Sequence, residues 1–301
     1  MGAPEFSAPS LKMLINEGYN LAAVVTQPDR PKGRGNKLIS PIVKDIALEA
    51  GIRVLQPEKP SEIHDELKNL SIDLCVTAAY GCILKKSFLR IPRFGAVNVH
   101  ASLLPRYRGA SPIHQALLNG DAETGVTIML TEAGVDTGPI LMTEKTAISE
   151  TMYFRELHDK LAEMGAELLK RAIPAYTSGA IYPAPQDGGL ATYAPIIQKS
   201  DGELDFTLNA AQLVNRVRAF SEWPGATTVI GGKKLKIHKA RAVNAADHNS
   251  RGIPGAVAGV SREAFSVMCG GHTVLNITRL QFENARAMDI SECWHNLVNK
   301  R

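Results

Sequence analysis

Four cysteines in 301 residues (Cys75, Cys82, Cys269 and Cys293) lie far apart and form no CxxC pair. A disulfide scaffold and a cysteine zinc site are excluded on that count, and a reducing cytosol fits. No apolar run approaches the ~18 residues that a membrane span needs. The start, Met1-Gly2-Ala3-Pro4-Glu5-Phe6, lacks the basic flank and apolar stretch of a signal peptide. Also missing are a GxxxxGK[ST] phosphate loop, a GxGxxG turn after a strand, an HExxH helix and a GxSxG elbow. Nucleotide-driven, zinc-protease and serine-hydrolase chemistries therefore have no foothold. Charged residues make up 21% and hydrophobic residues 45%, close to the globular average, which excludes a disordered chain.

What is present divides in two. Residues 1–201 carry a net charge of −1 and residues 202–301 carry +5. The split suggests one part for chemistry and another that meets an anionic partner. Apolar runs of strand length at 21–26, 52–55, 72–79, 95–100 and 125–130 alternate with helical patterns. The longest helix is marked by Leu157, Leu161, Met164 and Leu168, and Ser61 reads as the cap of a shorter one. This order predicts a doubly wound, mainly parallel α/β sheet. The chain opens on a helical pattern with no strand before it, which points to a truncated or misassigned start. Around residues 179–201 the periodicity stops and Pro183, Pro185, Gly188 and Gly189 gather, as in a linker. Beyond it, one helix and hairpins turning at Gly231-Gly232 and Gly270-Gly271 predict a small β-barrel. The expected domains are residues 1–181, a linker at 182–201, and residues 202–301.

In Val97-Asn98-Val99-His100 the strand period places Asn98 and His100 on one face, at the C-terminal end where open α/β sheets bind ligands. Asp136, in Gly134-Val135-Asp136-Thr137-Gly138, follows the strand ending near Leu130 and can lie at the same sheet edge. A plainer reading has His100 capping a strand end and Asp136 making an Asx turn. On the residues alone both stay open.

These residues resemble the active site of the folate-dependent formyltransferases, which carries Asn, His and Asp in this arrangement. The likeness runs over nearly the whole chain. It includes Pro4-Glu5-Phe6, the stretch from Thr26-Gln27-Pro28-Asp29 to Gly35, and the run from Asn98 to Ala110. Asp136-Thr137-Gly138, Ala191-Thr192-Tyr193-Ala194-Pro195 and Trp223-Pro224-Gly225-Ala226 complete it. The Pro28 to Gly35 loop and the C-terminal part narrow the likeness to the branch acting on charged tRNA. The resemblance implies a Rossmann-like formyltransferase domain without its first strand, followed by an OB-like β-barrel domain. Gly2 would then lie in the first strand–helix turn.

It further implies formyl transfer from 10-formyltetrahydrofolate to the α-amino group of methionyl-initiator tRNA, in the cytoplasm, by a monomer and without a metal. Asn98 and His100 would donate N–H groups to the developing oxyanion, with Asp136 favouring charged His100 and helping to move the amine proton. Folate would bind along Ser102, Leu103, Leu104 and Pro105 and reach Tyr80, Gly81 and Ile83. The tRNA would meet Lys32, Gly33, Arg34 and Lys37 on one loop, and Lys233, Lys234 and Lys236 on a hairpin of the basic part. The alternative is an enzyme of the same superfamily acting on a nucleotide-linked amino sugar, which has less use for the basic loop. His64, His158, His238, His248, His272 and His295 need no role, and His114 stays open.

Overall fold

Val97 and Val99 alternate with Asn98 and His100 along the strand Ala96–His100, and that alternation sorts its sheet into two faces. The computed structural model, which describes residues 1–32, 37–244 and 252–295, buries both valines almost completely. Over them lies the helix Phe154–Thr177, whose Gly165 comes so close that a Cβ there would stand 2.6 Å from Val99 Cγ1. Leu157, Leu161 and Leu168 of this helix are fully buried, as their spacing predicts. The opposite face, carrying Asn98 and His100, is left for the loops that build the site.

The sheet has the order Cys75–Ala78, Ala96–His100, Glu123–Leu130, Ile140–Ala147. Its first pair is parallel and the other two are antiparallel. The two antiparallel pairings depart from the expected parallel order only at this edge: Glu123–Leu130 and Ile140–Ala147 form a hairpin, joined by a loop too short for a crossover helix. Val24–Val25 and Val54–Leu55 make a separate parallel pair. Between the two sheets run Met1 and Gly2. Gly2 N donates to Val25 O (3.1 Å) and Ala78 N to Met1 O (3.0 Å), so these two residues occupy a strand position in front of the first helix, Ala8–Asn16. Behind them lies a cavity of about 500 Å³, lined among others by Leu14, Leu21, Leu70, Ile72 and Ser10. Ser61 does not cap a helix. Pro60 opens a 3-10 turn, Pro60–Ile63, that runs into the helix His64–Asn69, because the proline ring starts the helical φ one residue earlier.

The chain divides into two compact units. One comprises Met1–Pro112, Glu123–Ala147 and His158–Pro195, the other Ile113–Ala122, Ile148–Leu157 and Ile196–Arg301. In the second unit the helix Ala210–Ala219 starts on a capping box: Gln212 N donates to Asn209 Oδ1 at 2.9 Å and Asn209 N to Gln212 Oε1 at 3.1 Å. The helix buries Leu213 and Val217 in a core with Leu235, Ile237, Phe265, Val267 and Leu275. The strands form one antiparallel sheet, ordered Ala226–Ile230, Lys233–Asn244, Thr273–Phe282, Phe265–Cys269, Val257–Val260, with Ala287–Asp289 also on Thr273–Phe282. Its hairpins turn at the expected glycine pairs. Among the described residues no ladder joins Ala226–Ile230 to Val257–Val260, so the expected barrel is open at that seam.

Candidate active site

Asn98 alone could turn its amide either way. Thr77 stands at the matching position of the neighbouring parallel strand, and its hydroxyl lies 2.8 Å from Asn98 Oδ1 and donates to it. The Asn98 oxygen is thereby engaged and its N–H groups are left for the site. Two residues on, His100 is 6% exposed. Its Nε2 lies 3.0 Å from the Tyr107 carbonyl, which can only accept, so Nε2 carries hydrogen. Nδ1 faces Asp136 Oδ2 at 3.6 Å. A second N–H there requires the imidazolium.

Asp136 arrives by a route the sequence does not suggest. The strand Glu123–Leu130 runs antiparallel to Ala96–His100, so Leu130 pairs with Val97 at the far end and Thr127 with His100. The loop after Leu130 therefore folds back over the sheet face, across roughly 10 Å of strand, to bring Asp136 to His100. The assumed shared strand end is corrected by this register. Asp136 sits in the left-handed region (φ 50°), a conformation that aspartate tolerates better than most residues. Its Oδ2 accepts from Gly109 N at 2.8 Å. Gly109 itself (φ 118°) lies so close to Ala194 O that a Cβ would stand 2.6 Å from it.

The run Ser102 to Pro105 is shaped by Thr127, which donates to Ser102 O (2.7 Å) and accepts from Leu104 N (3.1 Å). The Ser102 hydroxyl is fully buried and donates to Arg106 O at 2.6 Å. Leu104 and Tyr80 are buried as well, and Tyr80 packs with Val25, Leu67, Leu84 and Phe88, where burial pushes its hydroxyl up to about 12. Those three side chains are turned into the protein, so at Ser102, Leu104 and Tyr80 it is the backbone that remains for a ligand. Leu103 and Pro105 are half-buried, while Gly81 and Ile83 are exposed. Of the candidate folate residues, these four offer surface.

Three residues outside the site candidates of the sequence complete the site. Thr77 aims Asn98. Thr192 Oγ1 accepts from Tyr107 N at 2.9 Å. Gln186, in the expected linker, bonds both the Asp136 loop and Arg108. The linker is thus structured here: Tyr193–Ala194 pairs in parallel with Arg108–Gly109. No cluster of three or more His, Cys, Asp or Glu suited to a metal occurs among the described residues.

An amide donor, an imidazole–carboxylate pair and no serine or cysteine nucleophile suit transfer of a carbonyl group to an amine that attacks by itself. Family comparisons agree with that chemistry. A formyl transferase family matches residues 2–173 and its C-terminal domain residues 196–297. The chain belongs to the formyl transferase family. Methionyl-tRNA formyltransferase of Ruminiclostridium cellulolyticum is 45% identical over 97% of this chain and 94% of its own length. That of Myxococcus xanthus is 46% identical over 96% and 91%. Among solved structures, the sugar 3N-formyl transferase WlaRD has a TM-score of 0.68 at 20% identity, covering 95% of this chain and 97% of its own. The N-formyltransferase of Helicobacter canadensis, solved with folinic acid and dTDP-3-aminofucose, scores 0.67 at 18%, covering 92% and 96%. At such identity these two share the fold.

In this family member the candidate tRNA residues are placed unevenly. Lys32 and Lys37 pair across the short strands Arg30–Lys32 and Lys37–Ile39, and Gly33 and Arg34 lie outside the described residues. On the strand Lys233–Asn244, Lys234 and Lys236 alternate with the buried Leu235 and Ile237 and so share the outward face. Lys233 instead sits over the Phe282 ring, 5.4 Å from its centre. His114 stacks on Phe154 at 4.2 Å, a packing role.

Proposed function

We propose that this formyltransferase moves the formyl group of 10-formyltetrahydrofolate to the α-amino group of methionyl-initiator tRNA. The methionine nitrogen attacks the formyl carbon and the carbonyl oxygen becomes an oxyanion. The bond from that carbon to folate nitrogen then breaks, the attacking nitrogen loses a proton, and the folate nitrogen gains one. The observation that carries the reading is the Thr77-fixed Asn98 amide on the same strand face as the His100–Asp136 pair. It is supported by 45–46% identity to curated methionyl-tRNA formyltransferases along almost their full length.

Asn98 is the oxyanion donor already in place, and one such donor supplies about 2.7–4 kcal/mol of barrier lowering. His100 is the second donor once its Nε2–H leaves the Tyr107 carbonyl. Asp136 stabilises the imidazolium and steers the departing amine proton. Gly81, Ile83, Leu103 and Pro105 fit the flat, largely apolar body of the folate. The lysines at 32, 37, 234 and 236 suit phosphates of the acceptor arm.

The test incubates the protein with 10-formyltetrahydrofolate and methionyl-initiator tRNA and measures acid-stable formylmethionine, with a nucleotide-linked amino sugar as the parallel acceptor. Formylation of the tRNA is expected. His100→Ala should lower kcat ~100-fold or more while tRNA binding is kept. Transfer to the sugar alone would overturn the assignment.

A further inference from the structure

We propose that Gln186 is a positioning residue for the reaction: its side-chain amide clamps the Asp136 loop to Arg108, and so holds the Asp136 carboxylate against His100. The proposal rests on the formyl-transfer reading above and adds a residue to it.

The amide is used at both ends. Gln186 Nε2 donates to Asp136 O (2.8 Å) and to Gly138 O (2.7 Å). Its Oε1 accepts from Arg108 Nε (3.0 Å) and from Arg108 Nη2 (2.8 Å). A primary amide has two donor hydrogens and two acceptor lone pairs, and here all four are engaged. Its orientation is dictated by the neighbours, because carbonyl oxygens must face N–H groups and a guanidinium must face an acceptor. The segment bearing Gln186 is anchored two residues earlier, where Ala184 and Ile140 exchange two backbone hydrogen bonds of 2.8 Å. Ile140 begins the strand that follows the Asp136 loop, so that loop is tied at its exit and gripped at its centre.

Position matters because Asp136 holds a left-handed backbone, which persists only where surrounding bonds over-determine it. Two bonds do so: Gly109 N on the Asp136 carboxylate, and Gln186 on its carbonyl. Gly109 follows Arg108 directly, so the first bond comes from the short strand Arg108–Gly109 and the second is tied to the same strand through Gln186 and Arg108. Arg108 is 7% exposed, and the amide oxygen gives its charge a partner without bringing a second carboxylate beside Asp136. A glutamate at 186 would set oxygen against the Asp136 and Gly138 carbonyls. A leucine would leave them and Arg108 without this partner.

The experiment compares wild type, Gln186→Leu, Asp136→Asn and the double variant. If Gln186 works through Asp136, Gln186→Leu lowers kcat by about 10- to 100-fold with each KM within about twofold, the loss expected from a small misplacement of a reacting group. In the Asp136→Asn background it then costs less than about twofold more. A full, multiplicative loss in the double variant overturns the proposal, as does a change confined to KM. A readout without turnover keeps the two readings apart. The ring ¹⁵N shifts of His100 in the free protein should move in Gln186→Leu and stay put in a control, Gln115→Leu, on the helix Pro112–Leu118. Unchanged His100 shifts in a folded Gln186→Leu protein defeat the clamp whatever the acceptor proves to be. Moved shifts in a protein that formylates no tRNA defeat only the functional reading.

Discussion

The hydroxyl of Thr77 has one hydrogen, and the Asn98 oxygen at 2.8 Å takes it at a better distance than the Val97 carbonyl at 3.1 Å. That bond engages the Asn98 oxygen and leaves its N–H groups facing the site. Thr77→Val keeps the shape of the strand and removes the bond, so kcat should fall about tenfold, some 1.4 kcal/mol, with thermal unfolding little changed. Steady-state kinetics beside a melting curve checks this. A second residue sets a pH dependence. Burial holds the pKa of His238 below its ordinary value of 6.5, against a smaller opposing effect of its hydrogen bond to Gln281. The folded chain therefore binds that proton less readily than the unfolded chain, and stability is lost as pH falls below 6.5. Between pH 7.5 and 5.5 the melting temperature of wild type should drop further than that of His238→Gln, by about a degree or two. Equal drops would exclude His238 as the source.

At the scale of elements, the strand period and the leucine spacing were readable because both are local properties of the chain. Asn98 beside His100 follows from alternation, and the Phe154–Thr177 helix follows from Leu157, Leu161 and Leu168. The approach of Asp136 was not readable in the same way. It depends on Glu123–Leu130 pairing antiparallel with Ala96–His100, a long-range choice that no local pattern announces. Gln186 was hidden for the opposite reason: it stands among prolines and glycines, where sequence shows no period and a linker is the natural inference. The contact of helix and strand at Gly165 and Val99 gives a direct check of the layer behind the site. Gly165→Leu must push the helix away from a buried valine, costing about 1–3 kcal/mol or more in urea unfolding. It should also lower kcat, since Asn98 and His100 are carried on the strand that loses this backing.

For the whole molecule, the division of charge read from the sequence has a structural counterpart. The unit with Asn98, His100 and Asp136 carries the folate candidates, and the unit with the outward Lys234 and Lys236 carries much of the basic excess. The cavity behind Met1 and Gly2 lies wholly within the first of these units. Its walls are mainly apolar and it opens to solvent on one side, so this unit folds around an apolar concavity that its own side chains do not fill. Ser10 lines it with a buried hydroxyl that has no hydrogen-bond partner. Ser10→Leu fills part of the space and removes that hydroxyl, so it should raise the melting temperature by about 2–4 °C while leaving formyl transfer unchanged.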